Sequence, residues 1–316
     1  MNVRYTIIIP VYNEEAVIRE TYHRLSSVMK DIGESYELLF VNDGSIDSTA
    51  AIIRQFAQTD PCIKLLEFSR NFGHQIAISA GMDHAKGEAV VIIDADLQDP
   101  PEVIPQMVQK WREGYEVVYG KRLKREGETL FKRWTAALYY RTLRALTDID
   151  IPLDTGDFRL MDRAVCEAMR SVQEKNRFVR GLVAWVGFRQ TAVEYVREER
   201  FAGESKYPLR KMLRFSLDGI TSFSYKPLKL ASYLGILISL ASIIYLIISL
   251  GQRVLDANIS AGGSALVASL FLLNGLILIF LGVMGEYIGR IFDETKNRPL
   301  YILRNQPELK NINSKR

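Results

Sequence analysis

From Leu230 to Gly251 the chain carries no charged residue, and from Ala257 to Gly285 it again carries none. A helix of roughly 20 apolar residues, rising ~1.5 Å per residue, spans a ~30 Å hydrocarbon layer. The two windows predict transmembrane helices at about 230–251 and 264–285. A pair of buried core helices is the other structure such windows can form. The hydrophobic fraction of the whole chain is an ordinary 48% of 316 residues, so the signal lies in its distribution. Residues 1–228 carry charges throughout and read as a soluble globular unit.

Charge placement gives the orientation. Lys206, Arg210, Lys211, Arg214, Lys226 and Lys229 precede the first window, opposed only by Asp218. Arg290, Lys296, Arg298, Arg304, Lys310, Lys315 and Arg316 follow the second, whereas the 252–263 loop holds only Arg253 and Asp256. Positive flanks stay on the cytoplasmic side, so the N-terminal unit and the C-terminus are both expected there, in a cell-membrane protein with two spans. Residues 207–225 mix Leu209, Met212, Leu213, Phe215, Leu217 and Phe223 with basic residues, the composition of an amphipathic helix lying on a membrane. The N-terminus runs almost directly into a strand pattern, so no signal peptide is expected. Cys62 and Cys166 lack metal-ligand spacing and imply no disulfide. The net charge of +4 is too small to imply a polyanionic partner, and no nucleic-acid module accompanies the basic stretch.

The first half alternates apolar runs with helical patterns. Strands are predicted at Tyr5–Val11, Tyr36–Val41, Ile63–Phe68, Ala89–Ile93 and Glu116–Tyr119. Helices are predicted over 14–32, from an Asp47 cap to about Gln58, over 74–86, and from an Asp99/Glu102 capping box to about Glu113. This alternation implies an α/β fold, a mainly parallel Rossmann-like sheet with helices on both faces. Residues 121–206 give no clear assignment.

Such sheets bind ligands at the carboxyl ends of their strands. The suggestive residues cluster there: Tyr12-Asn13-Glu14 after the first strand, Asn42-Asp43-Gly44-Ser45 after the second, Asp94-Ala95-Asp96 after the fourth. Two carboxylates one residue apart beside a buried strand repel unless a cation neutralises them, and oxygen ligands suit Mg²⁺ or Mn²⁺. Gln98 can add an amide oxygen. A turn-capping Asp beside a solvated one is the alternative, and the position at a strand end counts against it. Tyr12 and Glu14 suit a base or ribose, but an acidic first helical turn also explains Glu14. Asp43 is open in the same way, as a turn residue or a ribose ligand. GxGxxG, Walker A, HExxH and GxSxG motifs are absent, which removes most dehydrogenase, P-loop, zinc-protease and serine-hydrolase readings.

Together, Ile8-Ile9-Pro10-Val11-Tyr12-Asn13-Glu14, Val41-Asn42-Asp43-Gly44-Ser45 and Asp94-Ala95-Asp96-Leu97-Gln98-Asp99-Pro100 resemble the family-2 glycosyltransferases of GT-A fold. Ser69-Arg70-Asn71-Phe72-Gly73 and Gly203-Glu204-Ser205-Lys206-Tyr207 are similar to the dolichol-phosphate-mannose synthase branch. The predicted membrane hairpin resembles that of bacterial polyisoprenyl-phosphate glucosyltransferases of the GtrB type. The resemblance implies a catalytic domain over 1–206, a juxtamembrane amphipathic segment over 207–228, a hairpin over 229–289 and a cytoplasmic tail over 290–316.

It also implies residue roles. Pro10, Tyr12, Glu14, Val41, Asp43 and Asp94 line the nucleotide pocket, and Asp94, Asp96 and Gln98 hold Mg²⁺ or Mn²⁺. Arg122, Arg200 and Lys206 contact the diphosphate or acceptor phosphate, Arg133 is a second acceptor-phosphate candidate, and Asp157 matches a position proposed for catalysis. The implied reaction is inverting, metal-dependent transfer of one sugar, glucose from UDP-glucose being favoured, to a polyprenyl phosphate such as undecaprenyl phosphate. The missing QxxRW motif argues against polymerisation. The alternatives are a GDP-mannose-dependent mannosyltransferase, a transferase using a soluble or polymer acceptor, and a non-catalytic membrane scaffold. A lipid phosphate, with a second pKa of roughly 6, is largely ionised near pH 7 and needs little help from a base. Asp157 is therefore expected to orient or polarise the site. A homo-oligomer is expected, a tetramer being the form known for the GtrB type.

Overall fold

The computed structural model describes residues 3–123, 155–172, 174–198 and 263–304, with 228–229, 233–238, 240–241 and 244. Arg133, Arg200, Lys206, nearly all of the 207–228 segment and most of the first predicted membrane helix lie outside the described residues.

The chain runs β1 (Tyr5–Val11), α1 (Ile18–Ile32), β2 (Tyr36–Asn42), α2 (Thr49–Thr59), β3 (Ile63–Glu67), α3 (His74–His84), β4 (Ala89–Ile92), α4 (Ile104–Arg112) and β5 (Val117–Arg122). After the undescribed stretch come β6 (Thr155–Asp162), α5 (Arg163–Ser171), α6 (Val179–Trp185), β7 (Gln190–Tyr195) and α7 (Gly263–Thr295). The strands form one sheet in the order β3-β2-β1-β4-β6-β5-β7. β1 and β4 read as continuous apolar runs because both faces are buried. Ile7, Ile9, Leu38, Phe40 and Val91 face a core closed by α1, α2 and α4. Ile8, Leu39, Val41, Val90 and Ile92 face one closed by α3, α5 and α6. This is the expected GT-A arrangement of a mainly parallel sheet between two helical layers.

All five predicted strands form. The structure adds β6, β7, α5 and α6 where the pattern gave nothing. Buried Asp157 and Arg159 interrupt the apolar run of β6 and hide it. β6 is antiparallel to both β4 and β5, so it is its beginning, not its end, that lies at the functional edge of the sheet.

The predicted Asp99/Glu102 capping box does not form. Pro100 is extended (φ −70°, ψ 126°) and a short 3₁₀ turn, Pro101–Val103, precedes α4. Asp99 is turned into the protein interior, and Glu102 pairs with Arg24 at 2.6 Å. Asp47 does accept the Thr49 amide (3.0 Å), although Ser48 is the residue at the cap position of α2.

Among the described residues one helix is long and apolar enough to cross a membrane. Leu273–Thr295, within α7, has mean hydropathy 1.7 and is unburied by the rest of the protein. α7 outlasts the predicted span end at 285 by nearly three turns, along which Glu286 and Arg290 pair at i,i+4.

Candidate active site

The site begins where β1, β2 and β4 end side by side. Pro10 lies opposite Val41 and Val11 opposite Asn42, both in parallel register. The loops that follow are laced together. The Ser45 hydroxyl accepts the Asn13 amide (3.0 Å), the Asn13 side chain accepts the Ile46 amide (2.9 Å), and Thr49 Oγ1 accepts the Glu14 amide (2.9 Å). Asn42 Oδ1 accepts the Ser45 amide (3.0 Å), so an amide oxygen closes this turn without a second carboxylate. Tyr12, the residue after β1, remains 38% exposed.

Asp43 is buried, and both its oxygens are engaged. Oδ1 accepts the Phe72 amide at 2.6 Å and Oδ2 the Gly73 amide at 2.9 Å. Burial nevertheless raises its pKa, against the effect of those two amides. The carboxylate therefore holds the Ser69–Gly73 loop against the second strand's end. Gly44 allows the close approach: it has φ 70°, and a Cβ there would lie 2.5 Å from the Arg70 carbonyl carbon.

After β4, burial alternates. Ala95, Leu97 and Asp99 point inward, while Asp94, Asp96 and Gln98 keep an exposed side. Leu97 takes a left-handed backbone (φ 57°), turning the chain while its side chain stays buried. Asp96 Oδ1 accepts the Gln98 amide at 3.2 Å. Asp94 Oδ1 is fully covered yet accepts no hydrogen bond, and His74 Nε2 stands 3.5 Å away. Burial, reinforced by Asp157, Asp99 and Asp96, pushes the Asp94 carboxyl up to about 6, with His74 opposing. An orphaned, crowded carboxylate oxygen fits a cation. Among the described residues no three His, Cys, Asp or Glu side chains gather into a metal site on their own.

Asp157 arrives from the other direction. Ile92 pairs with Arg159 in antiparallel register, and continuing that register sets Asp157 level with Asp94. His74 bridges the two carboxylates, 3.3 Å from Asp157 Oδ2. Arg180, from α6, donates to Asp157 through Nε (2.8 Å) and Nη2 (3.1 Å), and Gln75 Nε2 donates at 3.2 Å. Burial opposes ionisation of Asp157, but Arg180 and His74 outweigh it and hold the carboxyl well below the usual carboxylate range. Burial also works against a charged His74, and Asp94 with Asp157 reverses that, lifting the ring to about 9. Asp157 pairs with Arg180 and not with Arg159, whose guanidinium donates to the Gly156 carbonyl (3.0 Å).

Arg122, at the end of β5, is held by buried Asp99 (3.2 Å) and by the Tyr195 hydroxyl (3.2 Å). A Cβ on Gly156 would collide with its guanidinium. Tyr195 donates to Asp99 at 2.5 Å, and Arg197 lies 3.6 Å from the same carboxylate.

Residues 6–170 match the profile of glycosyl transferase family 2, and residues 226–291 match the GtrB C-terminal hairpin. The chain belongs to glycosyl transferase family 2. This glycosyltransferase is 60% identical to an uncharacterized glycosyltransferase of Bacillus subtilis, YkcC, over 98% of this chain and 96% of the relative. It is 41% identical to the bactoprenol glucosyl transferase of Shigella phage SfV, over 96% of this chain and 99% of that one. It is 40% identical to a prophage bactoprenol glucosyl transferase homolog of Escherichia coli, over 95% and 98%.

The predicted site residues of this glycosyltransferase divide by placement. Pro10, Tyr12, Glu14, Val41 and Asp43 lie at the joined ends of β1 and β2, while Asp94, Asp96 and Gln98 share one side of the loop after β4. Asp157 joins Asp94 through His74, and Arg122 sits in the adjoining Asp99–Tyr195 cluster. Sequence reasoning missed His74, Gln75, Asp99, Arg180 and Tyr195 as site residues. His74 and Gln75 directly follow the Ser69–Gly73 motif, which was the available signal; nothing local marked Arg180.

Proposed function

We propose that this glycosyltransferase moves a single glucose from UDP-glucose to a polyprenyl phosphate, undecaprenyl phosphate being favoured, at the cytoplasmic membrane face with inversion. The observation that carries the reading is Asp94 Oδ1, buried and unsatisfied, with Asp96 and Gln98 on its side of the loop. Mg²⁺ keeps water ligands and binds through one or two carboxylates plus substrate phosphates, which matches two carboxylates and an amide better than a closed protein cage. Asp94, Asp96 and Gln98 would hold Mg²⁺ or Mn²⁺. When bound, the ion neutralises charge that develops on the departing diphosphate. The full-length relatives named bactoprenol glucosyl transferases support glucose and the lipid acceptor over the GDP-mannose alternative.

The junction of Tyr12, Glu14 and Asp43 would take the nucleoside. Asp43 acts mainly by fixing the Ser69–Gly73 loop. The acceptor phosphate attacks the anomeric carbon, the bond to the diphosphate breaks, and one displacement inverts the centre. Asp157, ionised and gripped by Arg180, His74 and Gln75, is a poor proton acceptor and orients His74 beside Asp94. Arg122 would contact the acceptor phosphate, steadied by Asp99; Arg200, Lys206 and Arg133 remain candidates for the same charge.

Two membrane crossings are supported by the chain's return. Leu303, beyond α7, pairs with Phe68 of the catalytic domain. A single crossing would leave these residues on opposite sides, so a crossing α7 needs a second span, for which 230–251 is the candidate. The basic flanks support the cytoplasmic orientation. The proposed domain division is 1–206, 207–228, 229–289 and 290–316, with α7 continuing past the third boundary and residues 301–303 packed on the first unit.

The test is transfer of labelled glucose from UDP-glucose to undecaprenyl phosphate in detergent, with Mn²⁺ or EDTA, for wild type and Asp96→Ala. Metal-dependent product that Asp96→Ala abolishes is expected. Product only from GDP-mannose would replace the donor. Absence of product and of nucleotide binding with either donor would favour a scaffold.

A further inference from the structure

The stretch Leu300-Tyr301-Ile302-Leu303 is an apolar run in a segment that the sequence marks only as a tail. Beyond α7, Asn297 turns the chain back with φ 45°. Lys175 holds the turn: its Nζ donates to the Arg298 carbonyl (2.6 Å) and its amide to Glu294 Oε1 (2.7 Å). The returning chain then pairs antiparallel with the end of β3. Ser69 N–H donates to the Ile302 carbonyl (2.9 Å) and Arg304 N–H to the Glu67 carbonyl (2.7 Å), with Leu303 opposite Phe68.

Side chains alternate as a strand requires. Tyr301 and Leu303 pack on the core beneath, while Ile302 is exposed. The Tyr301 ring stacks on Phe68 (centroids 5.2 Å apart, planes 17° apart), and its hydroxyl donates to Asp83 at 3.1 Å. Phe68 in turn meets the edge of Phe72 at 5.6 Å. Phe72 and Gly73 donate to Asp43, and His74 follows immediately with its contacts to Asp94 and Asp157. The Ser69–Gly73 loop thus lies between the returning segment on one side and the ends of β2 and β4 on the other.

We propose that the returning segment, Tyr301 above all, is a positioning element for the donor site. It sets the height of the Ser69–Gly73 loop, and so the placement of Asp43 and His74, from the end of the membrane helix. The proposal rests on the reading of this site as a nucleotide-sugar pocket. A mere cover for the β3 edge would protect stability alone. A positioning element also governs donor binding, with little effect on the lipid acceptor.

The experiment uses the full chain in detergent. UDP binding with Mn²⁺ and the KM values of donor and lipid are measured for wild type, Tyr301→Ala and Tyr301→Phe. Tyr301→Ala is expected to weaken UDP binding and raise donor KM about tenfold, because an aromatic stack is lost. The lipid KM should stay within about twofold. Tyr301→Phe keeps the stack and should stay within about threefold of wild type in UDP affinity. Folded Tyr301→Ala with wild-type UDP affinity overturns the proposal.

If Tyr301→Ala fails to fold, the Ser69→Cys, Ile302→Cys double variant decides, because it leaves Phe68 and Tyr301 in place. These exposed residues face each other one place along from the Phe68–Leu303 bridge, at the Cα spacing of about 5.5 Å of a hydrogen-bonded antiparallel pair, which accepts a disulfide. Oxidation should tighten UDP binding severalfold over the same protein reduced, and equal binding overturns the proposal. Failure of wild type to bind UDP counts against the donor reading instead. Amide exchange at Phe72 and Gly73 then tests the positioning directly: it should quicken about tenfold in Tyr301→Ala, or slow severalfold on oxidation of the double variant, and unchanged exchange overturns the proposal.

Discussion

Replacing Asp157 with Asn separates charge from shape at the centre of the site. The Asp157 side chain is 5% exposed and receives Arg180, His74 and Gln75. Asn keeps the shape, but it removes the negative charge between two cations and sets an NH₂ against one of their donors. Breaking a buried ion pair from one side costs ~3–5 kcal/mol. Arg180 is 27% exposed and His74 34%, so water recovers part of this, and about 2–3 kcal/mol is expected. For a catalytic domain of about 200 residues that lowers Tm by ~4–12 °C, measured by thermal unfolding of the full chain in detergent. Adding Arg180→Met removes the stranded cation and should return part of the loss. Transfer activity discriminates the roles. An orienting Asp157 lets the double variant regain rate, whereas loss of a general base costs ~10²–10⁴-fold and is not restored. The folded pKa of Asp157 lies below its unfolded value, so its stabilisation is complete above about pH 4 and fades as pH falls through the folded pKa. Asp157→Asn should therefore leave any acid limb above pH 4 unchanged. A single variant that melts with wild type, or a double variant less stable than either single, would refute this account.

Two further substitutions probe the neighbouring parts. Asp99→Asn leaves Arg122 and Arg197 facing a neutral, fully buried partner; a fall in stability of about 3 kcal/mol is expected, read by chemical or thermal unfolding. Gly44→Ala forces a Cβ at φ 70° into the Arg70 backbone; it should cost more than ~1 kcal/mol and weaken UDP binding by calorimetry, and wild-type affinity would show that the two loops are not packed as described.

The clustering of candidate residues at the strand ends was legible because it is local. Pro10–Glu14, Asn42–Ser45 and Asp94–Gln98 each sit within a few residues of a strand end, and a parallel sheet brings strand ends together whatever the loops do. The shared side of Asp94, Asp96 and Gln98 follows from alternation alone. The capping box failed because local spacing predicted a hydrogen bond that extended Pro100 does not allow, and because Arg122 and Tyr195, distant in sequence, bind Asp99 instead.

By itself the sequence determined the strands, the two apolar windows, the family and the acidic pair. Those features depend on residue pattern over short windows, where burial and hydration act on neighbours. Only the tertiary structure decided which way β6 runs, and so that Asp157 stands level with Asp94. It also decided that Arg180 neutralises Asp157, and that residues beyond α7 return to pair beside Phe68. These are contacts between groups far apart in the chain. Their energies come from pairing in a common buried volume, and no local pattern encodes which distant partner completes a charge or a sheet edge.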